Sequence, residues 1–125
     1  NSRVLEFLSE ASRFINILAR NRAMRQVLDD DINSLKRLVE VLSSFADVYL
    51  MNQTLRALTN LCASDKNKNV VRVYGGVKIL VWLLRPANPA IGKIRAVTGD
   101  DVCVKTIQLL VLRCLSNLLM YEKNR

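Results

Sequence analysis

Short patterns recur along the chain at intervals of 42 to 44 residues, and this repetition constrains the fold more than any other feature. Residues 38–42 (LVEVL) match residues 80–84 (LVWLL) at an offset of 42. Residues 14–18 (FINIL) match residues 58–62 (LTNLC) at an offset of 44. A period of this length is typical of stacked helical units, each of which buries its apolar face against its neighbours. The repetition therefore predicts a helical solenoid.

One of the units is longer than the others. Residues 56–61 (RALTNL) match residues 113–118 (RCLSNL) at an offset of 57, which exceeds 42 by the 15 residues of segment 87–101. Because this segment contains Asn-Pro and two glycines, we predict that it is an inserted loop. Its Lys93 and Arg95 make the loop a second candidate contact for an acidic partner or nucleic acid, and an inert spacer is the other interpretation.

Apolar residues recur with a period near 3.6, which predicts an all-α fold. The polar residues 64–69 are typical of a turn, and Gly75 and Gly76 are suited to end a short helix. Asp100 or Asp101 would cap the last helix, whose apolar residues on nearly all sides predict neighbours on more than one face. Trp82 lies in an apolar stripe and is expected to pack against the next repeat, and a ligand anchor is the alternative interpretation. The predicted helices span residues 1–20, 35–42, 50–62, 69–74, 77–85 and 102–121.

The residue types present argue against catalysis. The chain has no histidine, which excludes imidazole as a base or metal ligand. It also has no glycine-rich phosphate loop and no nucleophile motif. Asp29, Asp30 and Asp31 are interpreted as helix-capping residues, because hard-cation ligands usually alternate along a glycine-containing loop. We therefore predict no catalytic residue, no metal site and no cofactor.

The cysteines and the charged residues bear on the compartment. The cysteines are three in number, lie in apolar runs and have no CxxC spacing: Cys62, Cys103 and Cys114. This odd number and placement predict reduced core thiols in a cytoplasmic or nuclear protein. Lys105 and Arg113 interrupt the longest apolar run, so no membrane span is predicted. The chain opens directly in a helix without a signal peptide, and we expect it to be a fragment of a longer array.

The repeats resemble the armadillo family. Gly75-Gly76 followed by residues 77–84 (VKILVWLL), together with residues 57–61 (ALTNL), is similar to the family pattern of Gly-Gly, an apolar second helix and Ala-Leu-x-Asn-Leu in a third helix. The resemblance implies a right-handed α-α superhelix, with HEAT repeats as the structural runner-up. It implies a final helix of a preceding repeat at 1–20, a repeat at 21–64, a repeat at 65–122 with its insertion at 87–101, and the start of a further repeat at 123–125.

Armadillo proteins line a concave groove with their third helices. The resemblance implies that Asn16, Asn60 and Asn117 hydrogen-bond the main chain of an extended peptide in such a groove. A carboxamide suits this role because it both donates and accepts hydrogen bonds. The alternative is that each asparagine only bonds the backbone of a neighbouring helix.

Two arginines lie one helical turn before two of these asparagines. Arg56 and Arg113 stand where the nuclear-import members have tryptophan, and the third such position is Ser12. Guanidinium groups favour carboxylates or phosphates over basic signals. The alternative for both arginines is a solvated face or a pair with a neighbouring acid. Gln53 and Lys105 are expected to extend the binding surface.

Charge is unevenly distributed, with a net +1 on residues 1–64 and +7 on residues 65–125. We therefore predict a non-enzymatic protein-interaction scaffold that binds an extended, acidic peptide segment in a basic groove. One alternative is nucleic-acid binding by the basic second half, against which stand the absence of a recognition motif and a shortage of exposed aromatic residues. The other is self-association, since the first and last helices expose apolar ends.

Overall fold

The computed structural model of the protein describes residues 2–21 and 32–120. Within these residues lie seven α-helices and no strand, which confirms the all-α prediction. The predictions for Asp29–Asp31 and for residues 121–125 lie outside the described residues. The helices are α1 (Ser2–Arg20), α2 (Ile32–Ser44), α3 (Val48–Leu61), α4 (Asp65–Val73), α5 (Gly76–Leu83), α6 (Pro89–Thr98) and α7 (Asp101–Leu119).

Helices α1, α3 and α7 form a row, because α3 packs against α1 on one side and α7 on the other. Thr54 of α3 donates a hydrogen bond to Ser12 of α1, with 3.3 Å between the hydroxyl oxygens. Four residues later in α1, Asn16 meets Asn60 of α3. The two contacts follow the same order along both helices, so α1 and α3 run in parallel.

A second set of helices covers the row and closes the core. Helix α2 packs against α3, α4 and α5, and α5 packs against α7. Burying a leucine or isoleucine side chain is worth about 1.5–3 kcal/mol, so these contacts are the main source of stability. Core residues that are at most 3% exposed include Leu35, Leu38, Leu55, Leu58, Leu80, Leu83, Ile107 and Val111.

Side-chain caps begin several of the helices. Asp100 accepts a hydrogen bond from the backbone N–H of Val102 at 2.8 Å, as the N-cap prediction expects. Ser64 caps α4, and Asp65 already lies in its first turn. The prediction of a turn over residues 64–69 is therefore wrong beyond Ser64. An acidic residue is favoured at this end of a helix, where the helix dipole is positive.

The inserted segment is a helix, and the prediction of a loop over residues 87–101 is wrong. Asn88 caps α6 by accepting a hydrogen bond from the N–H of Ile91 at 3.0 Å. Pro89 occupies the first turn, and Gly99 ends the helix with a φ of +60°. These residue types build helix ends as readily as they build turns. Ile91 and Ile94, each 1% exposed, anchor the helix in the core.

The turn predicted at Gly75 and Gly76 is present between α4 and α5. Gly75 adopts a φ of +82°, in the left-handed region that favours glycine. Gly76 begins α5 and is buried against Val71 of α4. The two glycines therefore serve different purposes, one for backbone conformation and one for close approach.

Both ends of the row expose apolar side chains. On α1, Phe7 is 71% exposed and Phe14 is 61% exposed. Helix α7 is covered on more than one face, as expected, but it also leaves one apolar face uncovered within the described part of the chain. The exposed apolar residues of that face are Val102, Leu109, Leu112 and Leu119.

Helix α7 is also the one described helix whose length and composition alone would allow it to cross a membrane. It packs against α3, α5 and α6, and its seven buried side chains make it part of the core. A core helix meets the same criteria of length and composition, so α7 is not a clear membrane span.

The three cysteines are free thiols, of which Cys62 and Cys114 are buried and Cys103 is partly exposed. The Cys114 side chain, as a hydrogen-bond partner, and burial together raise the pKa of the Cys62 thiol far above its ordinary value. Cys62 is therefore a protonated, apolar core side chain at neutral pH. Cys103 departs from the core prediction and lies near the start of α7, where its sulfur is 4.0 Å from a carboxylate oxygen of Asp100.

Candidate functional site

A depression of about 230 Å³ lies across the row formed by α1, α3 and α7. Because each helix of the row contributes side chains, the depression exists only when the helices stack in this register. We call it the arginine depression. It is lined by Asn16 and Arg20 of α1, Arg56, Thr59 and Asn60 of α3, and Leu110 and Arg113 of α7.

Its three arginines have no ion-pair partner within the described residues. The ion pairs found there join Glu10 to Arg13, Glu40 to Arg37, Asp65 to Lys68 and Asp101 to Arg95. Intramolecular pairing with an acid, the alternative considered for Arg56 and Arg113, therefore does not occur among these residues. Three cations around one depression create a field that attracts anions.

Arg56 is held in place by its neighbour on α3. Its Nε donates a hydrogen bond to the side-chain oxygen of Asn52, one turn earlier, at 2.7 Å. The remaining guanidinium N–H groups stay available to a ligand, and their planar arrangement suits a carboxylate or phosphate.

Sequence reasoning missed Arg20. It lies in the last turn of α1, one turn after Asn16. The residue one turn before Asn16 is Ser12, which is buried against Thr54 of α3. The signal that would have found Arg20 is the turn after the asparagine on the same helical face.

The asparagines tie the helices of the row together. Asn60 donates to the side-chain oxygen of Asn16 at 2.8 Å, and Asn117 donates to the backbone carbonyl of Thr59 at 2.9 Å. That carbonyl lies in the last turn of α3, where such groups lack a partner within the helix. The alternative of bonding to a neighbouring backbone therefore describes Asn117, which does not line the depression.

Asn60 keeps a hydrogen-bonding group to offer within the depression. It lines the depression and is partly exposed, whereas Asn16 is 6% exposed. Its carboxamide oxygen has no hydrogen-bond partner among the described residues, so it can accept from a ligand N–H.

Gln53 and Lys105 lie outside the depression. Lys105 is exposed, but it is 12 residues from Asn117. Each step of four residues turns about 40° around a helix, so three such steps carry Lys105 about 120° away from Asn117. Gln53 is half-buried on α3, two turns before Asn60.

The expected shortage of exposed aromatic residues is wrong. Phe7, Phe14, Tyr49 and Tyr74 are 71%, 61%, 45% and 39% exposed. None of them lines the arginine depression, and the Tyr74 ring lies under the ammonium of Lys36 at 5.5 Å. The depression therefore lacks a surface on which a base could stack.

Within residues 2–21 and 32–120 no cluster of three or more histidine, cysteine, aspartate or glutamate side chains could hold a metal ion. Comparisons with known protein families, curated proteins and solved structures found no match. The resemblance to armadillo repeats thus rests on the quoted residues, and the candidate site rests on the geometry of the arginine depression.

Proposed function

We propose that the protein is a non-enzymatic interaction scaffold that binds an extended acidic segment of another protein across α1, α3 and α7. The observation that carries the proposal is the convergence of Arg20, Arg56 and Arg113 on one depression, with no carboxylate paired to them among the described residues. An acidic ligand would relieve the mutual repulsion of three guanidinium groups and would form charge-assisted hydrogen bonds.

Spacing favours an extended ligand that crosses the helices. Packed helices lie about 8–10 Å apart, so arginines on successive helices recur at about that interval. A peptide in the polyproline II conformation repeats the same face every three residues, over about 9 Å. We therefore expect acidic residues at every third position of the ligand, with the oxygen of Asn60 accepting a main-chain N–H.

The armadillo-type superhelix belongs to the same proposal. Support comes from the parallel direction of α1 and α3, from the 44-residue offset of the bonded pair Asn16 and Asn60, and from the glycine turn before α5. The buried thiols Cys62 and Cys114 support a reducing compartment, which we propose is the cytoplasm.

Charge reversal at Arg56 and Arg113 tests the function. We expect Arg56→Glu/Arg113→Glu to weaken binding of a labelled peptide with glutamate at every third position by at least about tenfold, because two attractive contacts become repulsive. Fluorescence anisotropy at near-physiological salt would measure the affinity. A peptide of the same composition with its glutamates clustered at one end should bind more weakly.

The matched control is Arg13→Glu/Lys105→Glu, which changes the net charge equally with exposed residues outside the depression. It should retain most of the binding. Equal losses of affinity in the two variants would mean that overall charge, and not the arginine depression, accounts for binding. Unchanged binding by Arg56→Glu/Arg113→Glu would refute the proposed site.

Self-association is a second candidate, favoured by the uncovered apolar faces of α1 and α7. If these faces pair between copies, the average mass in sedimentation equilibrium should rise with concentration. Phe7→Glu/Phe14→Glu should abolish the rise, because two charges would enter the interface. A chain that stays monomeric at every concentration would exclude this candidate and leave the peptide proposal untouched.

A further inference from the structure

Two depressions meet at Trp82 of α5, away from the arginine depression. The first has a volume of about 350 Å³ and is lined by Ser43, Lys78, Ile79, Trp82 and Arg85. The second, of about 250 Å³, lies between the α2–α3 turn and the start of α6, and its lining includes Ser43, Trp82, Pro89, Ala90 and Lys93. We call the part formed by Lys78, Ile79, Trp82, Arg85 and Lys93 the Trp82 surface.

The Trp82 surface has an apolar floor. Ile79 and Trp82 are half-buried and pack against the core cluster, so they are fixed in place while part of each side chain faces outward. This modifies the sequence expectation for Trp82, which does pack against the core but also lines both depressions. A floor of this kind can accept one large apolar side chain from a ligand.

Its rim is cationic. Lys78, Arg85 and Lys93 are exposed, and none of them forms an ion pair within the described part of the chain. Arg95, the other basic residue of α6 and a candidate in the sequence analysis, is instead paired with Asp101 at 3.0 Å. The uncompensated charge on this rim is therefore positive, and a complementary ligand carries negative charge.

The inserted helix is fixed against Trp82 by one side chain. Asn88, which is 3% exposed, donates to the backbone carbonyl of Trp82 at 2.8 Å and accepts from the N–H of Ile91 at 3.0 Å. The first turn of α6 is thereby held beside α5, which places Pro89, Ala90 and Lys93 along the second depression. The insertion thus builds one wall of the Trp82 surface.

We infer that the Trp82 surface is a second docking site, for a short acidic protein segment that carries one large apolar side chain. The apolar side chain enters the first depression against Ile79 and Trp82, and the acidic residues beside it pair with Lys78, Arg85 and Lys93. The cationic rim favours acidic residues in the ligand, and the apolar floor favours one large apolar side chain between them. The site shares no residue with the arginine depression, so it does not depend on the function proposed above.

A protein segment fits this surface better than a nucleic acid does. Single-stranded nucleic acids stack their bases on exposed aromatic rings, and the aromatic rings that line the two depressions, those of Trp82 and Phe45, are partly buried. Phosphates would use the rim cations but would leave the apolar floor unoccupied.

Tryptophan fluorescence can test the site directly, because Trp82 is the only tryptophan of the chain. The probe is a short peptide of glutamates flanking one leucine. We expect a saturable shift of Trp82 emission to shorter wavelength, since the leucine displaces water from the indole. Replacing that leucine by serine should weaken binding by about tenfold, which is the worth of one buried aliphatic side chain at a partly exposed site.

Variants separate this site from the first one. Arg85→Glu/Lys93→Glu should weaken the fluorescence titration by about tenfold or more, whereas Arg56→Glu/Arg113→Glu should leave it unchanged. An equal affinity for the serine peptide would overturn the inference, as would full binding by Arg85→Glu/Lys93→Glu. A shift produced by oligouridylate but not by the leucine peptide would also overturn it, in favour of a nucleic-acid site.

Discussion

Replacing Gly76 by alanine is expected to lower the free energy of unfolding by about 3 kcal/mol, at the upper end of the usual cost of overpacking a core. A Cβ atom at this position would lie 2.8 Å from the backbone carbonyl oxygen of Val71 and closer still to a methyl group of the same residue. The methyl group can rotate away, but the carbonyl oxygen belongs to α4 and can move only if the helix does. Chemical denaturation followed by circular dichroism would measure the loss.

Two other glycines serve as controls that isolate the steric cause. Gly75 has open space around it but a φ of +82°, so Gly75→Ala should cost only about 1–2 kcal/mol through backbone strain. Gly92 lies inside α6, where a Cβ atom would meet nothing within 4 Å, and Gly92→Ala should stabilise the protein by about 0.5–1 kcal/mol. If Gly76→Ala cost no more than Gly75→Ala, close packing of α4 on α5 would be refuted.

These glycines also show how far the sequence could predict the fold. The turn at Gly75 and Gly76 follows from residue type, because few other residues tolerate a left-handed conformation. That Gly76 rather than Gly75 is limited by packing depends on Val71, which reaches it only after α4 and α5 have folded against each other. Local conformation was predictable, whereas the contact between helices was not.

The prediction of a loop for the inserted segment is wrong for a physical reason. Asn88, Pro89 and Gly99 are frequent in turns, but the same properties suit them to an N-cap, a first helical position and a left-handed C-cap. The helical signal between them was the three-residue spacing of Ile91 and Ile94, which is too short to outweigh three turn-forming residues. The structure adds the burial of both isoleucines, which anchors α6 in the core.

The arginine depression was partly predictable from repeat offsets. Arg56 and Asn60 line it together with Arg113 and Asn16, because equivalent positions of parallel helices come side by side. Counting turns in steps of four puts Lys105 on the face of Asn117, but three such steps accumulate a rotation of about 120°. The acidic ligand stays a prediction that the proposed experiments can test, and the armadillo superhelix and the compartment also stay predictions.

Lys68 carries the second large expected effect. Its side chain is 2% exposed, and its ammonium donates to the carboxylate of Asp65 and to the backbone carbonyl of Met120 at the end of α7. Lys68→Ala should lower the free energy of unfolding by about 3–5 kcal/mol, because it leaves a cavity in place of a buried side chain and removes the donor from two partly buried acceptors. Lys68→Met, which keeps most of the stem, should cost about 1–3 kcal/mol.

A comparison with Asp65→Asn measures the contribution of the ion pair between Lys68 and Asp65. The Asp65 side chain is 28% exposed and asparagine keeps an oxygen that can accept from the ammonium, but the buried Lys68 loses its countercharge, so the substitution should cost about 1–2 kcal/mol, less than Lys68→Ala. If Asp65→Asn were as destabilised as Lys68→Ala, the ion pair with Asp65 would account for the whole effect, and the contact with the carbonyl of Met120 would account for none of it.

Amide hydrogen exchange would show which part of the protein loses stability in the Lys68 variants. Without the ammonium the last turn of α7 loses its link to α4, so Lys68→Met should speed amide exchange at Leu118 and Leu119 more than at Leu110, and Asp65→Asn should not. Asn117 lies in this same turn and holds α7 to α3 through the carbonyl of Thr59. Lys68→Met should therefore also weaken acidic-peptide binding modestly, because the register that brings Arg113 beside Arg56 depends on α7 staying in the row.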